Sequence, residues 1–160
     1  MSIEAVRDFF RGLGRENDIL EFDVSSATVE LAAQAVGVIP ARICKTLSFA
    51  VDEGCVLICA AGDAKVQNGK FKEQFHCKAT MLTPEQVVDF TGHAVGGVCP
   101  FAIADPRVKV YLDVSLQRFD TVFPAAGSSN SAIELTCDEL ATLSASQGWV
   151  DVCKGWQEEE

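Results

Sequence analysis

The spacing of apolar positions along this chain changes period several times, and each change marks an element. Ile3, Val6, Phe10 and Leu13 recur at helical spacing with Gly14 behind them as a stop, which predicts an opening amphipathic helix. Residues 19–24 read as a strand. Ser25-Ser26-Ala27-Thr28 then offers capping hydroxyls for a helix that runs to Val36 and closes at Gly37. Two apolar runs, Ile43–Val51 and residues 55–60, flank Asp52-Glu53-Gly54 in the pattern of a β-hairpin. Residues 68–76 fit a short amphipathic helix and residues 78–82 a strand. Thr83-Pro84-Glu85-Gln86 is the clearest local signal. It combines an N-cap, a proline at the first helical position and a glutamine that completes a capping box, with Leu82 and Val87 as the staple and Gly92 as terminator. Residues 108–112 alternate with period two. Residues 121–125 and 131–135 flank Gly127-Ser128-Ser129-Asn130 as a second hairpin. Thr136-Cys137-Asp138-Glu139 opens a C-terminal helix with another capping box, and residues 149–152 predict a last strand. Helices and strands that mix irregularly, with hairpins between them, predict an α+β fold rather than a doubly wound parallel sheet.

One position interrupts the pattern. With side chains alternating, Lys45 shares a strand face with Ile43, Leu47 and Phe49. Burying an unpaired ammonium group is costly. Either this strand is an edge from which Lys45 snorkels to water, or the lysine lines a pocket and meets a ligand.

Composition narrows the function. A chain of 160 residues, almost half of them hydrophobic, is long enough for one domain with a sizeable core. Residues 1–160 are therefore expected to form a single domain, with 157–160 as a disordered acidic tail. No apolar run reaches the ~20 residues of a membrane span. The N-terminus lacks a basic segment followed by an apolar one, so no secretory signal is expected. The seven cysteines are odd in number, contain no CxxC pair and match no zinc ligand set. With only two histidines, neither a metal site nor a cofactor is expected, and a reducing, cytoplasmic setting is. A net charge of −10 argues against a general nucleic-acid binder, DNA included. Lys65, Lys70, Lys72 and Lys78 nevertheless crowd one stretch. They form either a solvated helix face or a local phosphate contact.

The remaining candidate chemistry lies in Thr91-Gly92-His93-Ala94-Val95-Gly96-Gly97-Val98-Cys99-Pro100-Phe101. This is neither a P-loop nor a dinucleotide fingerprint. It is an ordinary turn, or a loop whose adjacent glycines bring main-chain N–H groups close to a carbonyl or oxyanion. Cys99 is a spectator thiol or a nucleophile, and its nearness to His93 in sequence does not decide between them. Asp105 and Asp113 are carboxylates at loop and strand-end positions. The serines at 128, 129 and 131 lack the Gly-x-Ser-x-Gly elbow and are more simply turn formers.

Taken in order, several of these segments resemble one family. They are Thr28-Val29-Glu30-Leu31-Ala32-Ala33 with Gly37-Val38, then Lys45-Thr46-Leu47 and Gly62-Asp63. Thr91-Gly92, Gly96-Gly97-Val98-Cys99-Pro100-Phe101, Ala126-Gly127 and Ile133-Glu134-Leu135 follow. Over residues 24–143 the chain is similar to the YbaK/prolyl-tRNA-synthetase-associated domain family of aminoacyl-tRNA deacylases. The resemblance implies a mixed, curved, barrel-like sheet with packed helices. It also implies a freestanding hydrolase that cleaves the ester of a mischarged aminoacyl-tRNA, most often tRNA for proline carrying a small non-cognate amino acid. The implied chemistry uses neither a metal nor a protein nucleophile, and the substrate 2′-hydroxyl assists. By the same resemblance Lys45 and the loop Gly96, Gly97, Val98, Cys99 and Pro100 are the catalytic set, with Thr46, Phe22, His93, Phe101, Gly127 and Ser128 around the substrate. The tRNA acceptor end is the expected partner, prolyl-tRNA synthetase a further one, and Lys65, Lys70 and Lys72 are candidate tRNA contacts by charge. Four positions depart from the family pattern. Serine is more usual at Cys99, glycine at Ala102 and tyrosine at His93, and cysteine-specific members carry an acidic residue at Ala132. Two other readings stay open: a non-catalytic module binding aminoacyl-tRNA or a synthetase, and a thiol enzyme working through Cys99.

Overall fold

A computed structural model describes residues 2–52 and 54–156. Met1, Glu53 and residues 157–160, for which the sequence predicts a disordered acidic tail, lie outside the described residues. Among the described residues, five α-helices and ten short strands form an α+β domain around a curled, half-barrel mixed sheet. The hairpin β2 (Ile43–Val51) and β3 (Gly54–Ala61) is its centre and pairs antiparallel over eight positions. Around it are β5 (Val108–Asp113), parallel to β3, and β6 (Thr121–Pro124), parallel to β2. β8 (Leu135–Thr136) and β9 (Trp149–Val150) close the two ends. Two small antiparallel ladders flank the sheet. β1 (Ile19–Glu21) pairs with β7 (Ser131–Ile133), and β4 (Lys65–Val66) with β10 (Cys153–Lys154).

β3 is buried along almost its whole length, as its unbroken apolar run requires of a strand covered on both faces. Against it pack α1 (Ser2–Arg11), through Val6 and Phe10, and α3 (Asn68–Phe75), through Phe71. The helix ends follow the capping chemistry. α2 (Val29–Val36) starts on the Thr28 hydroxyl and ends at Gly37 with φ +90°. α4 (Pro84–Thr91) and α5 (Cys137–Leu143) both begin with complete capping boxes. Removing the hydroxyl in Thr83→Ala is expected to cost about 1 kcal/mol in denaturant unfolding, with the Gln86 side chain no longer reciprocated.

The strand expected over residues 19–24 pairs only over Ile19–Glu21, and two further strands are shorter than their sequence suggests. Residues 78–82 make only a bridge, Met81 to Phe49. The segment is confined between the left-handed cap at His76 and the start of α4, which leaves room for two ladder bonds, Ala50 N–H to Thr80 O and Leu82 N–H to Ser48 O. Residues 149–152 stop pairing at Val150 because the buried Asp113 carboxylate accepts the Val152 N–H at 2.9 Å and turns the chain. Asp113 also accepts the Ser115 N–H, so this carboxylate is spent on structure. The second hairpin holds one register from Thr121↔Thr136 to Ala125↔Ala132.

Candidate functional site

The outer edge of β2 is covered at both ends and bare between them. β6 reaches it only at Ile43 and Cys44. The 80–82 segment reaches it only at Ser48 and Ala50. Across Lys45, Thr46 and Leu47 the strand is half-buried, and a cavity of about 490 Å³ opens there. Since Ser48 and Ala50 turn their main-chain groups to this edge, strand alternation turns those of Thr46 the same way. An unpaired N–H and C=O thus face the cavity, one donor and one acceptor on a rigid strand.

The walls come from elements far apart in sequence. The N-terminal end of α2 contributes Ser26, Thr28 and Val29, the start of α4 contributes Leu82 and Val87, and the second hairpin contributes Phe123, Ala125 and Ala132. Met81 and Val95, 58% and 64% exposed, stand apolar at the mouth. Among the described residues, Lys45 is the only charged one in the lining, and no carboxylate or histidine joins it there. Its ammonium donates to the Ala64 carbonyl and, at 3.4 Å, to the Gly62 carbonyl. The lysine is therefore neither an edge residue that snorkels away nor one that waits for a ligand to satisfy it. Burial lowers its pKa from the usual lysine value. Gly62 is the residue that makes this tether possible. A Cβ there would lie 2.1 Å from the Pro40 carbonyl oxygen and 2.7 Å from Val29, so only glycine lets the carbonyl approach beneath α2.

The glycine-rich loop divides between surface and interior. Gly96 and Val98 line the cavity, whereas Gly97, Cys99 and Pro100 do not. Gly96 has φ +96°. The Gly97 N–H donates to the Ala94 carbonyl at 2.9 Å, so it closes the turn and is not the amide that points outward. Cys99 is wholly buried with its thiol 3.6 Å from His93 Nε2, and burial pushes that thiol up to about 12. A protonated thiol with no path to the cavity is not a nucleophile. Cys99→Ser is accordingly expected to keep kcat/KM within about threefold of the parent, and native protein should resist alkylation at this position. Large loss of activity in this variant, with its melting temperature unchanged, would restore a role for the thiol.

Two expected substrate contacts lie in the interior. His93, 1% exposed, binds the Phe101 carbonyl through Nε2 at 2.8 Å, and burial lowers its pKa. Phe101 packs edge-on to Phe10 and stacks on Phe9. Both hold the loop from behind, because the chain turns inward immediately after Val98. Phe22 and Ser128 lie beside the cavity without lining it. Phe22 exchanges main-chain and side-chain bonds with Asn130, and Ser128 Oγ lies at hydrogen-bond distance from both Asn130 Oδ1 (2.9 Å) and Ser131 Oγ (2.8 Å), able to donate to one and accept from the Ser131 hydroxyl. Gly127, at φ +100°, turns the hairpin and is buried behind the loop. Of the three candidate tRNA lysines, Lys70 is engaged by Asp151 and the Cys153 carbonyl, both at 3.1 Å. Lys72 is exposed on α3 away from the cavity. Lys65 lines a groove next to it. Sequence reading assigned Ser26, Ser48, Met81 and Phe123 no place in the site and included Val95 only as part of the candidate loop, since only the fold brings them to one wall.

A family model of the aminoacyl-tRNA editing domain matches residues 24–143, the span that carries every wall of the cavity. The chain belongs to the aminoacyl-tRNA editing domain family. This editing domain is 56% identical over 159 residues to the uncharacterized protein YwhH of Bacillus subtilis, covering 98% of this chain and all of that one. It is 31% identical over 88 residues to a proline–tRNA ligase of Thermotoga neapolitana, covering 51% of this chain but only 15% of the ligase. Among solved structures, a candidate trans-editing enzyme for prolyl-tRNA synthetase superposes with TM-score 0.86 at 30% identity, over 96% of this chain and 98% of that one. The hypothetical protein APE2540 superposes with TM-score 0.80 at 26% identity, over 94% and 99%.

Proposed function

We propose that this editing domain hydrolyses the ester joining a small non-cognate amino acid to the 3′ end of a tRNA, with tRNA for proline as its first substrate. The observation that carries the reading is the bare edge of β2. It sets the Thr46 main chain, the Lys45 ammonium and the Gly96–Val98 side of the glycine loop around one cavity. In the proposed step a water oxygen bonds to the ester carbonyl carbon and the bond to the ribose 3′ oxygen breaks. The water proton passes to that oxygen through the neighbouring 2′-hydroxyl, which frees the amino acid and leaves an uncharged tRNA. Loop amides near Gly96 and Val98 donate to the carbonyl as negative charge develops on it, a contribution that is largest in a water-poor site. Lys45, anchored at the cavity edge, holds the terminal nucleotide, and Met81 and Val95 offer apolar cover for its base. Apolar walls favour a small uncharged side chain. A synthetase pocket discriminates such side chains by only ~1–3 kcal/mol per methylene, hence the need for a second sieve.

The test is deacylation of tRNA for proline charged separately with alanine, cysteine, serine or 2-aminobutyrate, with prolyl-tRNA as the cognate control. Cleavage of one non-cognate species, with the cognate spared, is the expected result. Tight binding without cleavage of any species would overturn the hydrolase in favour of a recognition module. Absence of both cleavage and binding would overturn the choice of tRNA.

A further inference from the structure

Lys45 has a second neighbour besides the cavity. Lys45, Leu47 and Met81 also line an adjoining groove of about 460 Å³, whose far side is formed by Lys65, Lys78 and Asn68. Its chemistry differs from that of the cavity. The Asn68 side-chain oxygen accepts the Ala79 N–H at 2.9 Å, which leaves its NH2 group as the end able to face the groove. The polar lining therefore consists of three ammonium groups and one amide donor, with no carboxylate. Neither Lys65 nor Lys78 has an ion-pair partner among the described residues, whereas Lys70 on α3 is taken up by Asp151. β4 and β10 moreover place Lys65 directly opposite Lys154. Like charges opposite one another across a ladder are destabilising unless an anion joins them. All this lies on a chain whose net charge is −10, so the positive patch is local and deliberate in its placement.

We infer that this groove is the exit path for a single-stranded RNA 3′ end, with Lys65 and Lys78 each holding a phosphodiester group and the apolar floor lying under the intervening nucleotide. Resting on the ester-hydrolase reading, the inference adds the route by which the nucleotides before the terminal one leave the cavity. Lys45 sits at the junction and the two lysines beyond it follow the backbone. An anionic backbone threading past unpaired ammonium groups gains from counterion release, so its binding falls with salt in proportion to the phosphates held. The groove replaces the earlier grouping of Lys65, Lys70 and Lys72, in which Lys70 is already neutralised and Lys72 points elsewhere.

The experiment compares the parent, the double variant Lys65→Glu/Lys78→Glu and the control Lys109→Glu, an exposed lysine outside the groove. Each is measured on mischarged tRNA, on the corresponding 3′-aminoacyl-adenosine ester, and for binding of a short RNA ending in CCA by fluorescence anisotropy at several salt concentrations. The double variant is expected to lose about tenfold or more in RNA affinity, with the salt slope reduced by about 1.4, the value for two phosphate contacts on a single strand. Its kcat/KM on charged tRNA should fall through KM, while hydrolysis of the adenosine ester stays at the parent value and the melting temperature does not fall, since Lys65→Glu sets a carboxylate opposite Lys154 across the ladder. Equal loss on both esters, or RNA binding unchanged from the parent, overturns the groove. If the parent cleaves neither ester, the hydrolase reading fails, and the binding arm still decides the groove. Weakened RNA binding in the double variant then supports it, and unchanged binding overturns it.

Discussion

Lys45→Ala is expected to lower kcat/KM for deacylation by about tenfold to 150-fold, the value of the ~1.5–3 kcal/mol that a hydrogen bond to a charged group contributes. Fold and stability should change little. The variant removes a partly desolvated ammonium group, which relieves a cost, and leaves the Gly62 and Ala64 carbonyls without their donor, which imposes one. These effects oppose each other, so unfolding measured by urea should move by about 1 kcal/mol or less. Lys45→Arg is the informative companion. Its planar fork does not fit two carbonyls reached by a single point charge, so it should recover only part of the activity. Full activity in Lys45→Ala would remove the lysine from the site.

The same residue sets a pH limb. Burial lowers the Lys45 pKa in the folded protein relative to the unfolded chain. With the folded value the lower one, the charged lysine costs stability at neutral pH. That cost is relieved as pH rises through the folded pKa towards the unfolded one. Activity runs the other way, because the ammonium form is the one that donates. Deacylation, corrected for spontaneous ester hydrolysis, should therefore decline on the alkaline side with a midpoint below the ordinary lysine value of about 10.4, and Lys45→Arg should lack that limb. A profile flat to the ordinary lysine range in the parent would mean that the charge of Lys45 plays no part.

Most of the fold is written locally. Thr28 with Gly37, Thr83 with Gln86 and Thr136 with Glu139 announce three helices, because a cap is a contact between residues three or four apart. The β2–β3 hairpin is legible for the same reason. What sequence does not reveal is where local signals are overruled from a distance. Asp113 ends the strand at Val150 from 39 residues away, and the bridge at Met81 takes its length from the space left beside β2. The site divides in the same manner. The oddity of Lys45 is visible because charge breaks an apolar period, but its partners at Gly62 and Ala64 lie on the far side of a hairpin. His93 and Phe101 enter the expected site through the family resemblance. They become its support only because the chain dives inward after Val98, a turn no periodicity encodes. The gap in the β2 edge depends on two unrelated segments both stopping short, and it is the least legible feature of all.

That gap also needs the loop opposite it to lie flat, and Gly97 is the residue that lets it. A Cβ at Gly97 would fall 2.8 Å from both the Cα and the nitrogen of Ser128, backbone atoms that cannot rotate aside. Either the loop or the 127–130 turn must move. The turn is fixed by Ser26 N–H to Ser129 O at 2.7 Å and by the Asn130 bonds to Phe22, so the loop is the part expected to yield. Gly97→Ala should cost about 1–3 kcal/mol in unfolding, the range for overpacking a filled interior. Its kcat/KM should fall by about 100-fold, comparable to the loss in Lys45→Ala, since a shift of about 1 Å at Gly96 and Val98 misaims the amides at the ester carbonyl. The loss should fall on kcat, with RNA affinity near the parent value, because the lysines proposed to hold the nucleotides line a separate groove that the loop does not reach. Loss of affinity in proportion to activity would instead make the loop a binding surface. Unchanged kinetics in a variant with normal stability would show that the loop amides contribute nothing to the transition state.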